Sequence, residues 1–140
     1  MGVVISQLVV DCADPERLGR WWAEVLGWEV TVDDEGDVWV APHAEDLMGG
    51  LLFEKVPEEK SVKNRLHLDI RPADGSSQEA ELERLLALGA TPVDVGQRDA
   101  TWHVLGDPEG NEFCLLLSTP GRLAERAAEE AAAKAQAAEG

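Results

Sequence analysis

The 140-residue sequence has no tyrosine, only two phenylalanines and only two cysteines. Cys12 and Cys114 are too few for a disulfide scaffold, and a reduced, cytoplasmic protein is the simpler expectation. No apolar run approaches the roughly 20 residues that a membrane-spanning helix needs. The opening stretch MGVVISQLVV lacks a basic leader and a cleavage site, so it reads as a first strand rather than a signal peptide. Positive charge is scarce as well. Twelve Lys and Arg stand against 28 Asp and Glu, for a net charge of −16. Binding to nucleic acid or to an anionic membrane needs a basic face, and none is visible, so neither partner is expected. Glycine-rich phosphate loops, the metalloprotease His-Glu motif and a Ser-His-Asp signature are all missing.

What the chain does have is a repeat. Gln7 and His67 lie 60 residues apart, as do Leu8 and Leu68, Val10 and Ile70, and Asp14 and Asp74. Each half runs strand, polar turn, helix, Leu-Gly, then short strands. In the first half Asp14 is the expected N-cap with Pro15 at the first helical position. Leu18, Trp21, Trp22, Val25 and Leu26 form one apolar stripe, and Gly27 ends it. In the second half Ser76 and Glu79 make a capping-box pattern, Leu82, Leu85 and Leu86 give the stripe, and Gly89 stops it. Strands are expected near 28–33, 37–41 and 50–56, and again near 91–95, 101–105 and 112–118. DDEG (33–36) and DPEGN (107–111) read as tight turns. The pattern predicts an α+β protein of two tandem βαβββ modules: one domain over 1–118, with modules at 1–56 and 64–118, a charged linker at 57–63, and an Ala-rich helical or disordered tail over 119–140.

The stretch NRLHLDIRPAD alternates strictly. Arg65, His67, Asp69 and Arg71 share one parity; Leu66, Leu68 and Ile70 share the other. Alternation of this kind marks a strand with one buried face. The polar face is unusual in setting an imidazole beside a carboxylate, which suits a pocket floor as well as it suits solvent.

DCADPERLGRWWAEVLGW (11–28), KNRLHLDIRP (63–72) and DPEGNEFCLL (107–116) together resemble the vicinal oxygen chelate superfamily, which includes glyoxalase I, extradiol dioxygenases, fosfomycin-modifying enzymes and bleomycin-binding proteins. The resemblance implies cupped mixed sheets around a cavity, with Leu66, Leu68 and Ile70 under the helix and Arg65, His67, Asp69 and Arg71 toward the cup. It also implies a homodimer and a small-molecule ligand or substrate. In metal-dependent members the first and last strands of each module supply ligands. The matching positions are Gln7, Glu54, His67 and Cys114, for a divalent ion such as zinc, nickel, manganese or iron. Cys114 stands where a Glu is usual, which argues against glyoxalase I chemistry. Its thiolate is a soft ligand suited to zinc, while a neutral thiol is simply a small apolar group. A metal-free cup, with His67 hydrogen-bonded to Asp69 or Glu54, is the other reading.

Two functions follow from this resemblance. One is a lyase-, isomerase- or dioxygenase-like enzyme with Glu54 or Asp69 as base. The other is a metal-free protein that sequesters an antibiotic or aromatic ligand. For either, Trp39 and Trp102 are candidate stacking residues, and Arg65 and Arg71 candidate ligand contacts. Trp21 and Trp28 are expected in the core.

Overall fold

The computed structural model describes residues 2–140, and the chain divides into two compact units. One comprises the chain up to Lys63 together with Asp107–Asn111; the other comprises Asn64–Gly106 and Glu112–Gly140. The first unit holds β1 (Leu8–Cys12), α1 (Pro15–Leu26), β2 (Glu29–Val32), β3 (Val38–Ala41) and β4 (Leu51–Lys55). Its sheet runs β1-β4-β3-β2, with β1 and β4 parallel and the remaining pairs antiparallel. The second unit holds β5 (Asp69–Ile70), α2 (Gln78–Ala87), β6 (Thr91–Pro92), β7 (His103–Gly106), β8 (Glu112–Leu115) and the tail helix α3 (Pro120–Glu139). Its sheet runs β5-β8-β7-β6 with the same pattern of directions. The α+β class, the tandem βαβββ order and the helical tail are those the sequence predicted.

Helix α1 starts where expected. The Asp14 side chain accepts a hydrogen bond from the Arg17 backbone N–H at 3.1 Å, and Gly27 closes the helix in the left-handed region at φ 69°. Leu18, Trp21, Trp22 and Val25 are buried, and the helix lies on β3 and β4, where Val38, Val40 and Phe53 are fully enclosed. Each such side chain contributes on the order of 1.5–3 kcal/mol by leaving water. The helix approaches the sheet closely at Gly19, where a Cβ would meet Val38 Cγ1 at 2.6 Å.

The second unit departs from the sequence reading in three places. Strand β5 is only two residues long, and Leu66, expected under the helix, is 81% exposed because the chain there has not yet joined the ladder. Helix α2 begins one residue later than the capping box implied: Ser77 is the N-cap, accepting from the Ala80 N–H, while Ser76 Oγ donates to Glu81. Arg84 also donates to Glu81, and that bond holds the Glu81 carboxyl below its usual range. Finally, Asp74, the repeat partner of Asp14, does not cap α2. It accepts from the Gly121 N–H at the start of α3.

Buried Gln78 ties α2 to the sheet side of its unit, donating to the carbonyls of Thr101 (2.8 Å) and Leu115 (3.2 Å). Tail helix α3 is capped by Thr119 and buries none of its residues. No helix among the described residues is long and apolar enough to cross a membrane.

Candidate functional site

Pairing registers decide which side chains share a face. In the second sheet Asp69 pairs with Cys114, and Cys114 with Val104, giving a row across three strands. Phe113 and Leu115, one residue to either side of Cys114, are buried at 1% exposure and face the other way. Cys114 therefore projects from the face opposite the aliphatic core, half-buried. Its backbone N–H donates to the Leu68 carbonyl at 2.9 Å, which fixes the thiol's height between His67 and Asp69.

His67 Nδ1 lies 3.2 Å from Asp69 Oδ1, and both side chains are partly open to solvent. One donor atom from each of His67, Asp69 and Cys114 lies within 4.8 Å of the others. An ionised carboxylate only accepts hydrogen bonds. The contact therefore needs the imidazole proton on Nδ1, and a neutral ring then presents Nε2 as an acceptor. The result is an oriented base beside a thiol, and equally a nitrogen, an oxygen and a sulfur donor gathered on one face. That donor set fits a borderline-soft divalent ion better than the all-oxygen shells that magnesium or manganese take.

The first sheet places the other matched positions. Val38, Val40, Leu51 and Phe53 are buried, so the alternate residues Trp39, Leu52 and Glu54 share the face away from α1, where Glu54 pairs with Asp11 of β1. Gln7 is half-buried one residue before β1. Trp39 is engaged locally: its indole N–H donates to the Asp46 carbonyl, and its ring lies where Gly50 leaves room for it. Trp102 sits one residue before β7, 43% exposed, rather than on the strand expected for it. Arg71 donates to the Ser118 carbonyl at 2.6 Å, and Arg65 is exposed. His103 pairs with Leu115 and so does not share a face with Cys114. A cavity of about 480 Å³ lies elsewhere in the second unit, lined by Ser76–Glu79, Leu117–Thr119, Arg122 and Arg126. None of the predicted site residues lines it.

The DPEGN turn proves to be a structural lock. Asp107 is buried at 4% exposure. Its carboxylate accepts from the Trp22 indole N–H at 3.0 Å, from the backbone N–H groups of Glu109 and Asn111, and from the Asn111 amide. Glu109 then accepts from the backbone N–H groups of Ala13 and Asp14, adding a second acceptor at the head of α1. Spacing alone gave the turn but not the buried carboxylate, because its partner Trp22 lies 85 residues away. Nearby, burial and the carboxylates of Glu109, Asp11, Asp14 and Asp107 push the Cys12 thiol up to about 12. The other acidic cluster, Asp33, Glu35 and Asp37, is a hairpin turn in which Asp33 already accepts from two backbone N–H groups.

Residues 7–116 match the family described as glyoxalase-like domain. No curated protein matches the sequence. Among solved structures, a mutant of the fosfomycin resistance protein FosX from Listeria monocytogenes, in complex with Mn(II) and 1S,2S-dihydroxypropylphosphonic acid, superposes with a TM-score of 0.63 at 13% identity. That likeness covers 86% of this chain and 94% of the other. FosX from Mesorhizobium loti gives 0.59 at 15% identity, over 87% and 97%. TnmS3, an antibiotic binding protein from Streptomyces sp. CB03234, gives 0.57 at 21% identity, over 84% and 99%. At these identities the likeness is one of fold.

Proposed function

The chain belongs to the family of glyoxalase-like domains, and from that premise we propose that it binds a small molecule with two adjacent oxygens at the open face of its second sheet. His67, Asp69 and Cys114 are the polar centre of that site. The contact between His67 Nδ1 and Asp69 Oδ1 beside the Cys114 thiol carries the reading. In it, Asp69 orients the imidazole and His67 Nε2 takes a proton from the bound molecule, a general-base role. Cys114 shapes the wall and supplies a soft donor. The family pattern gives Gln7 and Glu54 the equivalent positions on the first sheet, and Trp102 and Arg65 are the flanking contacts. A divalent metal, where held by these donors, supplies a Lewis acid that polarises a carbonyl or enolate oxygen. The proposal includes a homodimer, which sedimentation equilibrium tests.

Similarity of fold to both fosfomycin resistance proteins and an antibiotic binding protein supports a small-molecule ligand and leaves turnover to experiment. The test is titration of tryptophan emission with fosfomycin, 1,2-dihydroxypropylphosphonic acid, catechol and methylglyoxal, with NMR detection of any product, on metal-stripped and zinc-supplemented protein. We expect saturable binding of at least one class, weakened about tenfold or more by His67→Ala and by Asp69→Asn, the loss of about 1.4 kcal/mol expected from one polar contact. Binding without product assigns sequestration. Absence of saturable binding, or binding indifferent to both substitutions, overturns the proposal.

A further inference from the structure

We propose that the cavity between α2 and α3, within the second unit, binds a small phosphate monoester that also carries a hydroxyl group. Arg122 and Arg126 hold the phosphate, and Gln78 and Glu79 accept from the hydroxyl. This site shares no residue with the one on the open sheet face.

Three observations carry it. First, the cavity has the size of a ligand site. Its volume of about 480 Å³ lies within the roughly 300–1,000 Å³ of small-molecule pockets. Second, its cations stand out against the rest of the chain. Only 12 basic residues oppose 28 acidic ones, yet two arginines line this one cavity. They stand four residues apart on α3, so they leave the same helix face. Two guanidinium groups balance a phosphate dianion and offer paired donors to its oxygens. Arg126 makes no hydrogen bond or ion pair among the described residues. Arg122 shares Nη1 between Glu125 at 3.2 Å and Glu129 at 3.5 Å. Exposed pairs of this kind contribute little, so Arg122 can turn to a phosphate at small cost.

Third, the α2 wall supplies acceptors. Gln78 is 7% exposed and lines the cavity. Both partners of its side-chain amide, the carbonyls of Thr101 and Leu115, are acceptors, so the nitrogen must face them and Oε1 must point elsewhere. No donor among the described residues reaches Oε1, and no fully enclosed side-chain polar atom among them lacks a partner, so this oxygen is accessible from outside. An amide oxygen repels a phosphate and accepts from a hydroxyl. Glu79, on the same wall, does the same and keeps the anionic end on the α3 side. Arginines alone would take any oxyanion; the two acceptors select one with a donor of its own.

The test is calorimetric titration of the full-length chain with glycerol 3-phosphate in about 0.1 M chloride, where surface charge acts over only about 10 Å. Amide shifts of the labelled protein locate the ligand. The expected result is one saturable site, with the largest shifts at Gln78, Glu79, Ser118 and Thr119. Affinity should fall about tenfold or more in Arg126→Gln and in Arg122→Gln, with far-ultraviolet circular dichroism unchanged. Arg98→Gln makes the same change of charge outside the cavity, where Arg98 pairs with Asp94, and should alter affinity less than about twofold. Inorganic phosphate should bind about tenfold more weakly than the ester, and glycerol alone should not bind. Absence of saturable binding, equal weakening by Arg98→Gln, or shifts centred on His67 and Asp69 overturns the site. Inorganic phosphate binding as tightly as the ester overturns the role given to Gln78 and Glu79.

Discussion

Asp107 offers the sharpest structural perturbation. Its carboxylate is buried, and one of its oxygens receives the indole N–H of Trp22, itself 3% exposed. In Asp107→Ala the backbone N–H groups of Glu109 and Asn111 lie in a half-exposed turn and regain water, but the Trp22 donor does not. A buried donor left without a partner costs about 1–3 kcal/mol, and hydrogen bonds to a charged acceptor are worth about 1.5–3 kcal/mol each. Recovering the carboxylate's own hydration offsets part of that, so a net loss near 3 kcal/mol is expected. Unfolding entropy of about 2.1 cal/mol/K per residue gives roughly 0.3 kcal/mol/K for a chain of this length, which turns 3 kcal/mol into a Tm fall of about 10 °C. Asp107→Asn retains one acceptor for the turn but points an amide donor at the indole N–H, so it should lose more than half as much. The assay is thermal and urea unfolding followed by tryptophan emission, completed by a cycle with Trp22→Phe, where the double variant should recover at least about 1 kcal/mol of the summed losses. A fall of less than about 2 °C in Asp107→Ala, or no coupling in the cycle, refutes the lock.

Other consequences are equally direct. Because the folded Cys12 pKa lies at about 12, above the unfolded thiol's ordinary value of about 9, the folded state keeps its proton while the unfolded state ionises; stability from this group is intact below about pH 9 and falls by about 1.4 kcal/mol per pH unit above it, a slope that urea midpoints at pH 8 and 10.5 should lose in Cys12→Ala. Glu81, held low by Arg84, works in the opposite direction: its contribution is present at neutral pH and is lost as pH falls through its lowered folded value, and acid titration should show that loss blunted in Arg84→Ala. Gln78→Met removes the donor shared by the Thr101 and Leu115 carbonyls, and urea unfolding should register a loss of about 1–3 kcal/mol.

The architecture was legible because periodicity and punctuation agreed. Asp14-Pro15, the Leu18-to-Leu26 stripe and Gly27 are local signals, and α1 follows them to the residue. Signals failed where a tertiary partner decided the outcome. Asp74 repeats Asp14 in sequence, yet the start of α3 takes its carboxylate, and α2 is capped by Ser77 instead. Alternation through residues 65–71 promised a long strand, but ladder pairing is present only at Asp69–Ile70, so Leu66 has no face to bury. At the site, the polar parity of His67 and Asp69 was readable, and so was the unusual Cys114. Their convergence depends on the β5–β8 register, which sequence spacing does not fix.

The most direct test of the central assignment is a chemical-shift map of isotopically labelled protein against catechol and 1,2-dihydroxypropylphosphonic acid, with and without zinc. The largest perturbations are expected on the His67 ring and on the amides of Leu68, Asp69 and Cys114. Perturbations confined to the Trp39–Leu52–Glu54 face of the first sheet, or none in either condition, contradict it.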